Sequence, residues 1–238
     1  MTMLRLVIDT ALGYLGIGIA QDAGIRAAVV VERPSTVTTL AVPAIDALLN
    51  STGHHKREIR EIVVSAGPGS FTSLRTGLSL AKGMGMALDI PLVPVSTLDA
   101  MVHTVADPDG VFVAALDGKN HTLYLAEYRC RGGVVEKTGP ERVISAETRE
   151  PGKNDHVHLI GRAVEQYEAV LKNLYTTGMT WHTLDINAMN GSLARIAHDG
   201  LHGAGPVPAS TFVPLYLREP EVRIKKRKGV AHEKDTAL

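Results

Sequence analysis

Two acids stand where this chain could do chemistry. An apolar run over residues 4–10 ends in Asp9-Thr10, and a second over residues 111–117 ends in Asp117-Gly118. A carboxylate at a strand end can hold a metal ion and its water near a phosphate, and glycine lets the backbone approach closely. Between them lies Ser65-Ala-Gly-Pro-Gly-Ser-Phe-Thr72, an apolar run leading into a Gly-Pro-Gly turn that opens a helix. Gly67 and Gly69 allow backbone angles closed to other residues, Pro68 fixes one, and Ser70 or Thr72 can cap the helix start. Bare amides and the helix dipole face one point there, so the turn is a candidate anion site. The phosphate-loop pattern is not met, because Lys82 lies far beyond the turn and no Gly-Lys-Ser/Thr follows it. A plain structural turn, with Asp9 capping it and Asp117 merely ending a strand, is the competing reading.

The other reactive side chains argue against most catalytic classes. His54 and His55 are adjacent and cannot easily share one site, while His156 and His158 point the same way on a strand with no third ligand nearby. No His-Glu-x-x-His occurs, and Ser70 lacks a Gly-x-Ser-x-Gly elbow, so neither a metal nor a serine nucleophile is expected. Cys130 is the only cysteine, which excludes a disulfide framework and a cysteine zinc cluster. Near the end, Arg223, Lys225, Lys226, Arg227 and Lys228 fall within six residues. They form either a solvated terminus or a salt-sensitive contact to RNA phosphates.

The elements that must position these groups follow from periodicity. Strands are expected over residues 4–10, 13–20, 25–32, 59–65, 92–95, 111–117, 122–130 and 157–160, and helices over 38–50, 163–175 and 190–202. Further helices follow the Gly-Pro-Gly turn and a Ser96 cap. In the glycine-rich helix, Ser73, Gly77, Ala81 and Gly85 recur every four residues, and Ser79, Gly83 and Ala87 do the same beside them. Such a strip permits close backbone approach, either to the chain's own sheet or to another subunit. The expected organisation is an N-terminal lobe over 1–101, a second lobe over 102–210 and a basic C-terminal segment over 211–238. Hydrophobic content of 45% supports a core, zero formal net charge speaks against a uniformly basic nucleic-acid binder, and 4% aromatics speak against a base-stacking platform. With no leader-like start and no bilayer-length apolar run, a cytoplasmic protein with no membrane contact is expected.

The Asp-Thr and Asp-Gly strand ends, with Gly161 following a later strand, resemble the phosphate- and adenosine-contacting elements of actin-like ATPases and sugar kinases. A denser resemblance follows. Gly67-Pro-Gly-Ser-Phe-Thr72, Leu74-Arg75, Gly77, Ala81-Lys82-Gly83 and Ile90-Pro-Leu-Val-Pro-Val-Ser-Thr-Leu98 are similar to the TsaB (YeaZ) family of bacterial tRNA threonylcarbamoyladenosine biosynthesis. Ile8-Asp9-Thr10 and Pro214-Leu-Tyr-Leu-Arg218 resemble that family's two ends. The resemblance implies an α/β, actin-like (ASKHA, ribonuclease H-like) two-lobed fold with mixed sheets flanked by helices. It implies no enzyme on its own, but a scaffold within a threonylcarbamoyl transferase complex. Partners would be the TsaD transferase, the TsaE ATPase and, through the complex, tRNA modified at N6 of adenosine 37; alone, the chain would form a homodimer. No tightly bound cofactor is expected, with ATP and magnesium admitted only in the assembly.

The family pairs through its first two helices, which here places the interface at Leu40, Ala44, Ala47, Ser73, Leu74, Gly77, Leu78, Ala81, Met84 and Gly85. Anion or nucleotide contacts would fall to Asp9, Thr10, Gly67, Gly69, Ser70, Asp117 and Gly161. The family's Arg-His-Ser/Ala-Glu run is replaced by Arg33-Pro-Ser-Thr-Val37, and its Asp-Ala-Arg-Arg-Gly-Glu-Val-Tyr by Asp117-Gly-Lys-Asn-His-Thr-Leu-Tyr124. The alternatives are an actin-like small-molecule kinase using Asp9 and Asp117, or a metallopeptidase-like protein.

Overall fold

A computed structural model describes residues 2–32, 37–105, 108–145, 147–150, 152–162 and 165–212. Two sheets of the same plan make up its frame. In the first, β1 (Leu4–Asp9), β2 (Tyr14–Gln21), β3 (Gly24–Glu32), β4 (Glu61–Gly67) and β5 (Leu92–Ser96) lie in the order β3-β2-β1-β4-β5. β1 runs antiparallel to β2 and parallel to β4, so a hairpin and a crossover meet at its C-terminal end. The second sheet contains β6 (Gly110–Lys119), β7 (Thr122–Arg131), β8 (Val134–Lys137), β9 (Arg142–Ser145), β10 (Val157–Arg162) and β11 (Met179–Thr183). Its order, β11-β10-β6-β7-β8 with β9 paired to β7, repeats the first. β6 is antiparallel to β7 and parallel to β10. This duplicated arrangement is the actin-like, ribonuclease H-like α/β fold.

Helices α1 (Val37–Ser51), α2 (Phe71–Leu88), α3 (Thr97–Val102), α4 (Glu168–Leu174) and α5 (Met189–Asp199) complete the layers. Because β1 and β4 are buried on both faces, they read as continuous apolar runs. Leu4, Leu6, Ile8, Ile62 and Val64 pack with Ala41 and Ile45 of α1 and Leu74, Leu78 and Ala81 of α2. Val7 and Val63, on the opposite face, join Leu98, Met101, Phe112, Leu116 and Leu193 between the two sheets. Val113, Ala115 and Leu159 pack outward with Val170 and Leu171 of α4. α3 follows the first sheet in sequence yet packs on β6, β7 and β10, while α5 follows the second and packs on β1, β2 and β3. Helices are thus exchanged across the boundary expected near residue 102, and one continuous core spans both sheets.

Ser96 caps α3 as its position suggests, accepting from the amides of Leu98 and Asp99. Ser70 does not cap α2 through its side chain. The helix expected over 163–175 is shorter, since α4 proper starts at Glu168 after a 3-10 turn. β8, β9 and β11 were not foreseen. The basic residues Arg223 to Lys228 lie outside the described residues.

Candidate functional site

Asp9 closes β1 on the face toward the second sheet and is fully buried. Its Oδ1 accepts the Ala11 amide at 3.1 Å, and its Oδ2 accepts the Tyr14 hydroxyl. Burial pushes its carboxyl above the usual range, opposed by hydrogen bonds from Tyr14, Ser65 and Ala11. Burial, with Asp9 beside it, raises Tyr14 as well, so this phenol keeps its proton. Both oxygens of Asp9 are therefore occupied by donors from its own hairpin, and a metal ion would have to displace them.

The Gly-Pro-Gly turn is filled from within. The Ser70 amide at the start of α2 donates to the Ala11 carbonyl at 2.7 Å, the position an anion's oxygen would take. Gly69 is needed for that approach: a Cβ there would lie 2.3 Å from the Ala11 oxygen. Thr10 donates its hydroxyl to the Ser73 carbonyl at 2.8 Å. Thr10, Gly67, Gly69 and Ser70 are thus brought together, but as a backbone joint between the β1–β2 hairpin and α2. An anion bound there would have to replace the Ala11 carbonyl.

Asp117 belongs to a different layer. Along β6, Phe112 and Leu116 face the first sheet, and Val113 and Ala115 face α4. Alternation places Asp117 with the latter. There its Oδ1 accepts the Tyr167 hydroxyl at 2.8 Å and the Lys119 amide at 2.9 Å, while Oδ2 meets Lys119 Nζ at 2.7 Å. Burial opposes its ionisation, but the bonds from Lys119 and Tyr167 outweigh it and hold the carboxyl below its usual value. The expectation that Asp9 and Asp117 flank one phosphate site is corrected: they occupy opposite faces of different sheets. Gly161 lies inside β10, in register with Ala115 and Thr183, rather than in a loop after it. Next to it, Arg162 donates to the Leu12 carbonyl at 2.9 Å and ties the second sheet to the first hairpin.

α2 lays its small-residue strip on its own sheet. Leu74, Gly77, Leu78, Ala81 and Gly85 are buried, and a Cβ on Gly77 would lie 2.2 Å from Thr10 Oγ1. A Cβ on Gly85 would meet Ala209 at 2.9 Å. Those five residues cannot be the surface shown to a partner, which corrects that part of the expected interface. Ser73, Ala44 and Met84 are half-buried, and Leu40 and Ala47 are exposed on α1. The second strip is the open one: Ser79, Gly83 and Ala87 are exposed, and nothing lies within 4 Å of a Cβ on Gly83. Large apolar side chains are exposed on the same two helices, Met86 61% and Phe71 37% on α2 and Val42 48% and Leu40 39% on α1. Arg75 covers part of Phe71, its guanidinium 3.8 Å from the ring centre.

Four of the histidines form two pairs, and others bond different side chains, His54 to Glu58 and His198 to Arg5. His158 Nδ1 lies 2.9 Å from His182 Nε2 across β10 and β11, and His156 bonds Thr180. His103 and His202 approach to 2.9 Å through their Nε2 atoms. Among the described residues no group of three His, Cys, Asp or Glu side chains could hold a metal ion. Sequence reasoning missed Tyr14, Arg162 and Tyr167, the groups that satisfy the two acid hairpins. Only Tyr14 left a signal, as a phenol in the same hairpin five residues after Asp9.

Residues 37–193 match the family model described as tRNA N6-adenosine threonylcarbamoyltransferase. The chain is 28% identical over 231 residues to the tRNA threonylcarbamoyladenosine biosynthesis protein TsaB of Bacillus subtilis, covering 94% of this chain and 97% of that protein. It is 28% identical over 210 residues to the Haemophilus influenzae protein of the same name, covering 82% and 84% respectively. Among solved structures, YeaZ from Pseudomonas aeruginosa superposes with a TM-score of 0.72 at 19% identity, over 90% of this chain and all of that one.

Proposed function

Because the chain belongs to the tRNA N6-adenosine threonylcarbamoyltransferase family, as one of its TsaB (YeaZ) members working in tRNA threonylcarbamoyladenosine biosynthesis, we propose that it serves there as a non-catalytic partner subunit. It pairs with the TsaD transferase and the TsaE ATPase in the cytoplasm, meets tRNA through them, and forms a homodimer when alone. The observation that carries this reading is the internal satisfaction of Asp9 and Asp117, each bonded by neighbours from its own lobe and neither facing the other. Asp9 is closed to solvent and Asp117 is tied to Lys119 and Tyr167, so neither stands open to a metal ion. No resident cofactor is assigned; ATP and magnesium belong to the assembly.

The pairing surface we assign is the outer face of α1 and α2. Small residues at Ser79, Gly83 and Ala87 let a second helix come close, and Leu40, Val42, Phe71 and Met86 supply apolar area that water otherwise covers. Among the described residues no helix is long and apolar enough to cross a membrane.

Sedimentation of the purified chain, alone and with the transferase, tests this reading. Gly83→Glu is expected to leave a folded monomer that no longer joins the transferase. Unchanged association of that variant would place the interface elsewhere.

A further inference from the structure

A second region carries chemistry that neither the acid hairpins nor the α1–α2 face uses. Where the C-terminal ends of β4 and β5 meet the turn after β8 and residues 202–212, the surface opens into a pocket of about 500 Å³. That volume lies in the range of small-molecule sites. Ser96, Asp99, Lys137, Glu141 and His202 form its polar side, and Val207, Pro208 and Phe212 line the apolar side. None of Asp9, Thr10, Gly69, Asp117 or Gly161 contributes to it.

The polar side is built from buried groups. Lys137 Nζ lies 2.7 Å from Asp99 Oδ1 and 2.9 Å from Glu141 Oε1, and the Tyr128 hydroxyl also donates to Asp99 Oδ1 at 2.7 Å. Ser96 donates its hydroxyl to Glu141 Oε1 at 2.5 Å. The side chain of Glu141 is only 7% exposed, yet its other oxygen, Oε2, is buried and accepts no hydrogen bond from the described residues. Leaving a buried carboxylate oxygen unpaired is costly, so such atoms call for an explanation. Glu141 lines the pocket, and rotation about its soft terminal torsion would turn that oxygen toward a donor there.

Charge decides which donor. Asp99 and Glu141 contribute two negative charges and Lys137 one positive. Burial lowers the pKa of His202, with Lys137 adding to the effect and Asp99 opposing it, and so keeps it neutral. The lining groups Asp99, Glu141 and Lys137 thus sum to one negative charge above an apolar wall, with Lys82 outside the lining and bonded to the Phe212 carbonyl at 3.2 Å. We propose that the pocket binds a small organic cation, an amine or amidine with an apolar body, whose N–H groups pair with Glu141 while its body packs on Val207, Pro208 and Phe212. The site stands independently of the scaffold reading, since it shares no residue with the proposed pairing face.

Calorimetric titration of the full chain with benzamidine, benzamide and benzoate tests this. Benzamidine is expected to bind with Kd below about 1 mM, and benzamide and benzoate at least about tenfold more weakly. Glu141→Gln, which keeps shape and removes charge, is expected to weaken benzamidine at least about tenfold. Lys137→Met, which removes the competing cation, is expected to tighten it about threefold or more. The site is located without any substitution by the methyl resonances of Val207, which must shift with benzamidine even if a variant fails to fold. No benzamidine binding at about 10 mM, benzoate binding as well as benzamidine, or an unmoved Val207 signal would each overturn the proposal.

Discussion

The start of α2 and its outer face treat polar and apolar groups in opposite ways. At the N-terminus the helix meets the β1–β2 hairpin backbone to backbone. The Ser70 amide, the Thr10 hydroxyl and both oxygens of Asp9 all find partners inside the chain. On the outer face Met86 stands 61% exposed three residues from the open Gly83, and Phe71, at the first turn, is 37% exposed under the Arg75 guanidinium. Where an actin-like frame would hold a nucleotide, this one is self-satisfied. Where a solitary domain would be polar, this one is apolar and thinly covered. The proposed partner role rests on this contrast between the two ends of one helix.

The two strips of small residues on α2 give the widest contrast. Gly77→Leu should abolish folding, because its side chain must enter space held by Thr10; overpacking costs about 1–3 kcal/mol and more where backbone cannot shift. A soluble, cooperatively melting Gly77→Leu protein would contradict that packing. Gly83→Leu, six residues on, should melt within about 2 °C of the parent, since a surface substitution there changes stability by about 0.5 kcal/mol or less.

Next in size is the acid limb of stability. Burial, with His202 beside it, lowers His103 from 6.5 to about 4. A depressed histidine contributes stability that is fully present above pH 6.5 and is lost as pH falls toward 4, up to about 3 kcal/mol for that shift. Urea midpoints measured across this window should fall steeply for the parent and much less for His103→Gln. Equal slopes would show that the pair is not buried as described.

The surface pair Phe71→Asp with Met86→Asp should weaken self-association at least about tenfold, as loss of a central apolar contact costs more than about 1 kcal/mol. Far-UV circular dichroism should not change. Smallest is the effect of the acids: Asp9→Asn and Asp117→Asn should leave transferase binding within about twofold. Asparagine can still accept one hydrogen bond at each place.

Much of this frame was readable from residue order. Leu6 to Ile8, Ile62 to Val64 and Val111 to Leu116 are apolar because both faces of a central strand are covered, and that signal is strong. β8, β9 and β11 escaped because Val-Val-Glu-Lys, Arg-Val-Ile-Ser and Met-Thr-Trp-His-Thr are short and half exposed, with period-two signals too brief to stand out. Glycine spacing in α2 announced a close approach but not its object, because the pattern is the same toward a sheet or a second helix. Alternation along β6 separates Asp117 from Phe112 and Leu116, yet the sequence does not say which face looks toward the first sheet. The partners Tyr14 and Tyr167 were hidden for a similar reason. Tyr167 lies fifty residues from Asp117, and only the packing of α4 on β6 and β10 brings them together.

The most direct test is reconstitution of tRNA modification with threonine, bicarbonate, ATP, the adenylate-forming enzyme, the transferase and the small ATPase, scored by mass spectrometry of the modified adenosine. The parent chain, the Asp9→Asn/Asp117→Asn double variant and the Phe71→Asp/Met86→Asp double variant are compared at equal concentration. The account predicts near-parent product with the acid pair replaced and less than about a tenth of it with the surface pair replaced. Product lost with the acids and kept with the altered surface would contradict a non-catalytic partner and restore the kinase reading.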